Sequence, residues 1–168
     1  MNSNWISAMG ILAVLAGAFY IFYTALKRSR ETAAVKTARQ AISYPLQLQA
    51  AERMILFLER IKPQNLLARI STAGLSPTEL QQVILQEVRT ELDHNAAQQL
   101  YLGKDTWEKI TAAATATSAA LVHAVAGRAG MEDTRAIVVS VLQNEDETAR
   151  ALIREALAAI KDEVQENF

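Results

Sequence analysis

Several residue types that mark common functional classes are scarce or absent in this chain of 168 residues. The sequence has no cysteine, two histidines, three prolines and six glycines. Without cysteine there is no disulfide framework, zinc–cysteine or iron–sulfur site, catalytic thiol or cysteine-linked lipid anchor. Hydrophobic residues nevertheless make up 51% of the chain, which argues against intrinsic disorder. The sequence therefore predicts a folded protein without cysteine chemistry.

The apolar residues are concentrated near the N-terminus. Trp5 to Leu26 is a run of 22 residues without a charge, and 18 of them are hydrophobic. As a helix this run would span roughly 33 Å, enough for a hydrocarbon core of about 30 Å. Aromatic residues lie towards both ends, as in interfacial belts; they are Trp5, Phe19, Tyr20, Phe22 and Tyr23. A cleaved signal peptide is disfavoured because no basic residue precedes this long run. Residues 5–26 are therefore predicted to form a transmembrane helix.

Basic residues follow this run directly, and none precedes it. They are Lys27, Arg28, Arg30, Lys36 and Arg39. The positive-inside rule predicts residues 1–4 as a short external tail and the C-terminal part as cytoplasmic, at a cell inner membrane. The same side chains are candidates for contact with anionic lipid head groups, although a topology signal alone is the simpler interpretation.

Small and hydroxyl residues recur along one face of the predicted membrane helix. They are Ser7, Gly10, Ala13, Gly17 and Thr24. Small residues let helix backbones approach closely, so this stripe is a candidate contact with another membrane helix. The alternative is that the stripe has no partner, since glycine and alanine are common in such helices.

The remaining sequence predicts helices. Residues 27–45 form a basic juxtamembrane stalk, which Pro45 is expected to end or kink. Residues 46–168 carry apolar positions at helical spacing, which predicts an all-α, antiparallel bundle of about four to five helices. Capping patterns predict helix starts at Ser76–Glu79 and at Asp105–Glu108. The β-branched run Ile137–Leu142 is assigned to a helix because no partner strand is evident.

An alanine- and threonine-rich tract without charges covers residues 111–127. One interpretation is a weakly apolar membrane or re-entrant helix. The tract is short for that role, poor in large apolar residues and contains His123. A helix packed closely inside the bundle is favoured, and an interaction face is the third alternative.

No motif predicts an active site. His94 and His123 are 29 positions apart, and neither has the spacing of a metal site. Phosphate-binding loops and nucleophile motifs are missing, so no catalytic, cofactor-binding or metal residue and no small-molecule substrate is assigned. Residues 27–62 carry eight basic and three acidic side chains, net +5, whereas residues 63–168 carry nine and fifteen, net −6. This acidic region disfavours nucleic acid as a partner.

Two blocks of sequence carry a resemblance. The first block comprises Tyr44 to Ala50 (YPLQLQA), Glu52-Arg53, Leu58 to Ile61, Pro63 and Asn65 to Leu67. The second comprises His94-Asn95, Gln98 to Tyr101 and Trp107-Glu108. Together these blocks resemble a family of small single-pass membrane proteins from Bacteroidota. The resemblance implies a bacterial inner-membrane protein with a cytoplasmic helical domain. It implies no activity, because none is assigned to that family.

The first block also supplies a candidate partner-facing surface near the membrane. Its residues are Tyr44, Pro45, Gln47 and Gln49. The alternative is a helix start whose glutamines face solvent.

These features together favour a non-enzymatic, membrane-anchored helical interaction protein, an adaptor or accessory subunit of a bacterial inner-membrane complex. Its expected partners are the bilayer and either another membrane protein or a second copy. The alternatives are an oligomeric stalk of the stator kind and an enzyme with an unrecognised site. Pro45, Pro63 and Pro77 count against the stalk because it requires long uninterrupted helices.

Overall fold

The fold is known from a computed structural model that describes residues 4–131, 133–144 and 146–166, without the side chains of residues 4–16, 29–40 and 42. Its α-helices are α1 (Asn4–Ile61), α2 (Pro63–Arg69), α3 (Pro77–Asn95), α4 (Lys104–Ala126), α5 (Thr134–Gln143) and α6 (Glu147–Glu166). A 3₁₀ helix at Ala96–Leu100 follows α3. No strand occurs in the described ranges. The predicted all-α class is confirmed, and the run Ile137–Leu142 lies in α5.

The chain divides into two compact units, one up to Ser43 and one from Tyr44 onwards. In the first unit the large apolar side chains from Phe19 to Tyr23 each expose 57–69% of their surface. Among the residues whose side chains are described, no helix combines the length and apolarity needed to cross a membrane. Much of the predicted span, including Trp5, falls on residues 4–16, whose side chains lie outside the description. The transmembrane helix therefore stays a prediction.

Pro45 was expected to end or kink the helix, and the helix does not end there. Pro45 lies inside α1, which continues to Ile61. Proline removes one backbone hydrogen bond and crowds the carbonyl of Ala41, at a cost of about 3 kcal/mol. The helix after Pro45 is held by burial, because Ala50 and Met54 are completely covered. Core packing on that side compensates for the local cost.

The second unit is built around one hydrophobic core. The C-terminal part of α1 contributes Met54, Phe57, Leu58 and Ile61, all nearly inaccessible to solvent. The other helices cover them with buried aliphatic side chains, which include Leu66, Leu80, Ile84, Ile110, Ile137, Ile153 and Ile160. Burying each such side chain stabilises the fold by about 1.5–3 kcal/mol. The apolar spacing along these segments therefore marks the sides of the helices that face the core.

The two predicted capping boxes have different outcomes. At α3 the box is confirmed, because the Glu79 N–H donates to Ser76 Oγ at 3.3 Å and the Ser76 N–H donates to Glu79 Oε2 at 2.7 Å. At α4 the prediction is wrong, because the helix starts at Lys104 and Gly103 is its N-cap, without a side-chain cap. Asp105 lies instead in the first turn, where the helix dipole stabilises its negative charge.

Helices α4 and α6 pack extensively and run antiparallel. At one end the Gly103 N–H donates to Glu163 Oε1 at 2.7 Å, which joins the start of α4 to the end of α6. Farther along, Lys109 Nζ lies 3.8 Å from Glu155 Oε1. Helix α3 packs on another side of α4, so α4 is central to the bundle.

Candidate functional site

The structure describes the side chains of only part of the small-residue stripe. Ser7, Gly10 and Ala13 are outside the residues whose side chains are described. A Cβ atom added at Gly17 would meet nothing within 4 Å. The Thr24 hydroxyl donates to the carbonyl of Ile21 at 2.9 Å, so it is satisfied within its own helix. The stripe therefore has no described intrachain contact at Gly17, and its role in helix packing stays a prediction.

The basic residues after the predicted span are described in part. Lys27 and Arg28 are exposed. Arg30, Lys36 and Arg39 lie outside the described side chains. Contact of these five side chains with lipid head groups stays a prediction.

The predicted partner surface lies at the start of the second unit. Pro45 and Gln49 are exposed, whereas Tyr44 and Gln47 are half-buried. The exposed or partly exposed leucines between them, Leu46 and Leu48, leave 40% and 37% of their surfaces uncovered. This part of α1 thus presents a mixed surface of apolar and amide groups.

The second unit contains a groove of about 1080 Å³. We call it the α4–α6 groove, because residues 116–124 of α4 and residues 147–157 of α6 form most of its lining. Residues 62–64, Arg128, Val141, Asn144 and Asp146 complete that lining. None of the predicted partner-surface residues belongs to it.

The alanine and threonine tract explains why a groove forms here. One side of it is packed in the core, with Ala113 and Thr117 fully buried. The Thr117 hydroxyl donates to the Ala113 carbonyl at 2.7 Å, so burial leaves no unsatisfied donor. Ala116, Ala120 and Ala124 lie on the adjoining side of the helix, are half-buried and line the groove. Their methyl groups leave space beside α6 that larger side chains would fill.

The charged side chains on α6 neutralise one another in part. Arg154 Nη2 donates to Glu147 Oε1 at 2.7 Å, and Arg150 Nη1 donates to Glu147 Oε2 at 3.3 Å. The hydrogen bond and charge of Arg154 lower the pKa of the Glu147 carboxyl below its ordinary value. Asp146 Oδ1 accepts from the Ala149 N–H at 2.8 Å and so caps the first turn of α6.

Arg128 occupies the end of the groove where α4 stops. Its Nε donates to Ser140 Oγ at 2.8 Å and its Nη1 to the Ala124 carbonyl at 2.8 Å. A longer bond of 3.4 Å joins Nη2 to the Ser140 carbonyl. These acceptors belong to the last turns of α4 and α5, where a positive charge is favoured by the helix dipoles. The guanidinium is therefore held at a defined position between two helix ends.

Neither histidine forms part of a metal site in the described structure. His123 lines the groove and is exposed, and His94 is exposed on α3. Within the described ranges, no group of three or more histidines and acidic residues could hold a metal ion.

Sequence reasoning recognised the tract but missed the groove. The uncharged interval at residues 111–127 was the available signal, and one of its alternatives was an interaction face. The opposite wall, with Arg150, Arg154 and Leu157, is about 35 positions away along the chain. Only the antiparallel pairing of α4 and α6 brings the two sides together.

The family relationship follows from almost the whole sequence. The chain belongs to the family of unknown function DUF7935, which it matches over residues 4–167. This confirms the expectation of a family without an assigned function. No curated protein and no solved structure matches the chain.

Proposed function

We propose that the protein is a single-pass, membrane-anchored helical adaptor, or an accessory subunit of a membrane complex, in a bacterial inner membrane. Residues 5–26 form the anchor, residues 1–4 lie outside, and the bundle from Tyr44 onwards works in the cytoplasm without catalysis. The anchor restricts the bundle to two dimensions and thereby raises its effective concentration towards membrane partners.

The exposure of Phe19 to Tyr23 is the observation that carries this proposal. Successive helix residues are rotated by about 100°, so five in a row cover every side of the helix. All five leave more than half of their surface uncovered. A helix that is apolar all round needs a bilayer or other protein on every side. The satisfied hydroxyl of Thr24 also fits a medium without water.

The exposed cations support the proposed orientation. Lys27 and Arg28 immediately follow the apolar run, and the sequence has no basic residue before it. By the positive-inside rule this asymmetry retains the C-terminal side in the cytoplasm. Bacterial origin, and Bacteroidota in particular, is proposed from the resemblance of residues 44–108.

The partner surface of the proposed adaptor combines Tyr44, Pro45, Gln47 and Gln49. Because Leu46 and Leu48 are partly exposed between these residues, the surface offers apolar contact as well as amide hydrogen bonds. The small-residue stripe supplies a second contact within the membrane, where small side chains permit close packing.

Topology can be tested in the full chain because it contains no cysteine. Single variants Asn2→Cys and Gln99→Cys place one thiol before the anchor and one on the exposed 3₁₀ helix. A membrane-impermeant maleimide should label N2C in intact spheroplasts, and Q99C only after lysis. Labelling of Q99C in intact spheroplasts, with N2C protected, would reverse the proposed orientation.

The adaptor role can be tested by co-purification from the native host. Substitution of Leu46 and Leu48 by serine should release a specific membrane partner while leaving the protein in the membrane fraction. Substitution of exposed Gln82 on α3 by serine is the control. An unchanged set of co-purified proteins would contradict the role of this surface.

A stalk-like oligomer is the second candidate, favoured by the continuation of α1 through Pro45. The break between Ile61 and Pro63 and the turn before Pro77 count against it. Analytical ultracentrifugation of the full chain in lipid nanodiscs distinguishes the two, because a stalk predicts an elongated dimer or higher oligomer. An unrecognised enzyme has less support, since in the described part Glu79 and Glu147, whose pKa values are shifted, are exposed carboxyls with structural partners.

A further inference from the structure

We propose that the α4–α6 groove binds an amphipathic anion, a single alkyl chain that ends in a carboxylate or a phosphate. The groove volume of about 1080 Å³ is slightly above the roughly 300–1,000 Å³ typical of ligand sites. The proposal concerns the second unit alone and does not depend on the membrane anchor.

The apolar part of the site is the strip Ala116, Ala120 and Ala124. These residues recur every fourth position and so lie along one side of α4. The strip extends about 12 Å, at 1.5 Å per residue. Ile153 and Leu157 of α6 also line the groove. Methyl groups on one side and larger aliphatic groups on the other line an apolar channel suited to an alkyl chain.

The anion anchor is Arg128. Three of the five N–H groups of its guanidinium donate to Ser140 and Ala124, which are neutral acceptors. Among the described residues, no carboxylate lies within ion-pair distance of it. Two donors on an immobilised cation therefore remain for a ligand. A carboxylate or phosphate can accept such hydrogen bonds in pairs, which gives both affinity and orientation.

The competing charges in the groove are already engaged. Glu147 is paired with Arg150 and Arg154, and Asp146 accepts a backbone N–H. Lys62 is paired with Glu59, outside the lining, at 2.6 Å. The described lining nevertheless carries four cations and two carboxylates, whereas residues 44–168 as a whole have a net charge of −5. This local reversal of charge favours an anionic head group over a cationic one.

The direction of the ligand follows from the antiparallel helices. Arg128 and Asn144 lie after the C-terminal ends of α4 and α5, beside the start of α6. Ala116 and Leu157 lie farther from these ends along their helices. The head group therefore binds beside Arg128, and the alkyl chain extends towards Ala116.

A cysteine-protection experiment tests the site in the full chain, held in lipid nanodiscs without free detergent. Ala119→Cys places the only thiol in the groove, and Ala112→Cys places it two turns earlier on α4. Both alanines are exposed, but Ala112 is not part of the lining. Saturating decanoate should slow maleimide labelling of A119C by roughly tenfold and leave A112C unchanged. Equal slowing of both would show partition into the nanodisc and would overturn the site.

Head-group selectivity tests the anchor. Decanoate and decyl phosphate should both protect A119C, and their relative affinities identify the preferred head group. Decanol and decyltrimethylammonium, with the same chain, should bind at least about tenfold more weakly, because they lack the charge-assisted bond. Acetate and inorganic phosphate, without the chain, should not protect. Equal protection by decanol would overturn the role of Arg128.

Arg128→Gln in the A119C background should weaken decanoate protection by about tenfold or more. Arg135→Gln, at an exposed arginine of α5 outside the lining, should leave it unchanged. Because Arg128 also bridges two helix ends, circular dichroism must show that R128Q is folded. Ala120→Leu provides an independent variant, which should abolish protection by filling the channel while Arg128 stays in place. Protection that survives both variants would overturn the proposal.

Discussion

Two stretches of this sequence lack charges, and their environments differ. Residues 5–26 and residues 111–127 resemble each other in composition, because both are rich in alanine and contain scattered glycine, serine or threonine. In the first, the side chains from Phe19 to Tyr23 are exposed on all sides. In the second, Ala113, Ala114 and Thr117 are buried between neighbouring helices.

Side-chain size accounts for the difference. Alanine and threonine permit close contact of helix backbones, so the second stretch packs inside a bundle whose outer faces are charged. The bulky side chains from Phe19 to Tyr23 in the first cover its whole circumference, and each leaves more than half of its surface uncovered. Absence of charge alone therefore does not identify a membrane segment. The comparison also predicts that the two stretches tolerate different amino-acid substitutions.

The largest effect is expected from Gly17→Asp. A Cβ atom added at this position meets nothing within 4 Å, so the substitution causes no steric clash there. Its energetic cost should come only from the medium around the helix. An aspartate near the centre of a membrane helix costs about 3 kcal/mol on insertion scales. G17D should therefore shift much of the protein from the membrane to the soluble or aggregated fraction, as measured by flotation on a density gradient.

Gly130→Asp is the matched control for that measurement. Its added side chain also meets nothing within 4 Å, but it lies between α4 and α5. G130D should float with the membranes as the original protein does. If G17D floated equally well, the first stretch would not be an anchor, and the contrast with the second would be lost.

The next effect separates the two sides of α4. Ala113 is fully buried, whereas Ala119 is exposed in the groove. Ala113→Leu should overpack the core and lower the free energy of unfolding by about 1–3 kcal/mol. Ala119→Leu should change it by less than about 0.5 kcal/mol. The reporter is Trp107 fluorescence during urea unfolding, in a Trp5→Phe background that leaves one tryptophan. Equal losses for both variants would mean that the tract has no free side.

The sequence predicted the local features of this fold better than it predicted contacts between distant residues. The box between Ser76 and Glu79 depends on neighbouring residues and was predictable, and the helix over Ile137–Leu142 was predicted because no partner strand was evident. The start of α4 was mispredicted, and the Gly103 N–H at that start donates to Glu163, sixty positions later. The continuation of α1 through Pro45 likewise depends on burial of residues after it. Local propensity cannot report either contact.

The groove was not predictable for the same reason. Its alanine strip was visible in the sequence as part of an uncharged tract, but the position of Arg128 depends on Ser140 of another helix. The candidate surface at Tyr44 to Gln49 came from a resemblance and lies outside the groove. Periodicity identifies sides of helices, and only packing decides which sides meet.

A smaller effect should come from Ser76→Ala, which removes the cap of α3. Loss of a serine N-cap typically costs about 1 kcal/mol. Because α3 packs on α4, the urea midpoint reported by Trp107 should fall. Membrane flotation should not change, the reverse of the result for G17D. Ser71→Ala, at an exposed serine of the preceding loop, is the control. Loss of flotation in S76A would show that the two stretches are not independent.

The smallest effect is the pH dependence of the same cap. Hydrogen bonds from the Ser76 N–H and hydroxyl lower the pKa of the Glu79 carboxyl. A lowered pKa in the folded state means that the ionised carboxylate stabilises the fold at any pH above the ordinary pKa of glutamate. This contribution is lost as the pH falls through the lowered pKa. The difference in urea midpoint between the original protein and Glu79→Gln should therefore be constant near neutral pH and shrink in acid.

The Ser76→Ala background sharpens this last measurement, because it removes the hydroxyl donor but keeps the backbone N–H. In that background the acid-dependent part of the Glu79→Gln difference should be smaller, since one of the two bonds that favour the ionised form is gone. A difference that grew in acid would mean that Glu79 stabilises the fold in its protonated form. The reciprocal hydrogen bonds between Ser76 and Glu79 would then not be the interaction that starts α3. The acid dependence of this cap could then not be used to measure the stability of the neighbouring residues 111–127.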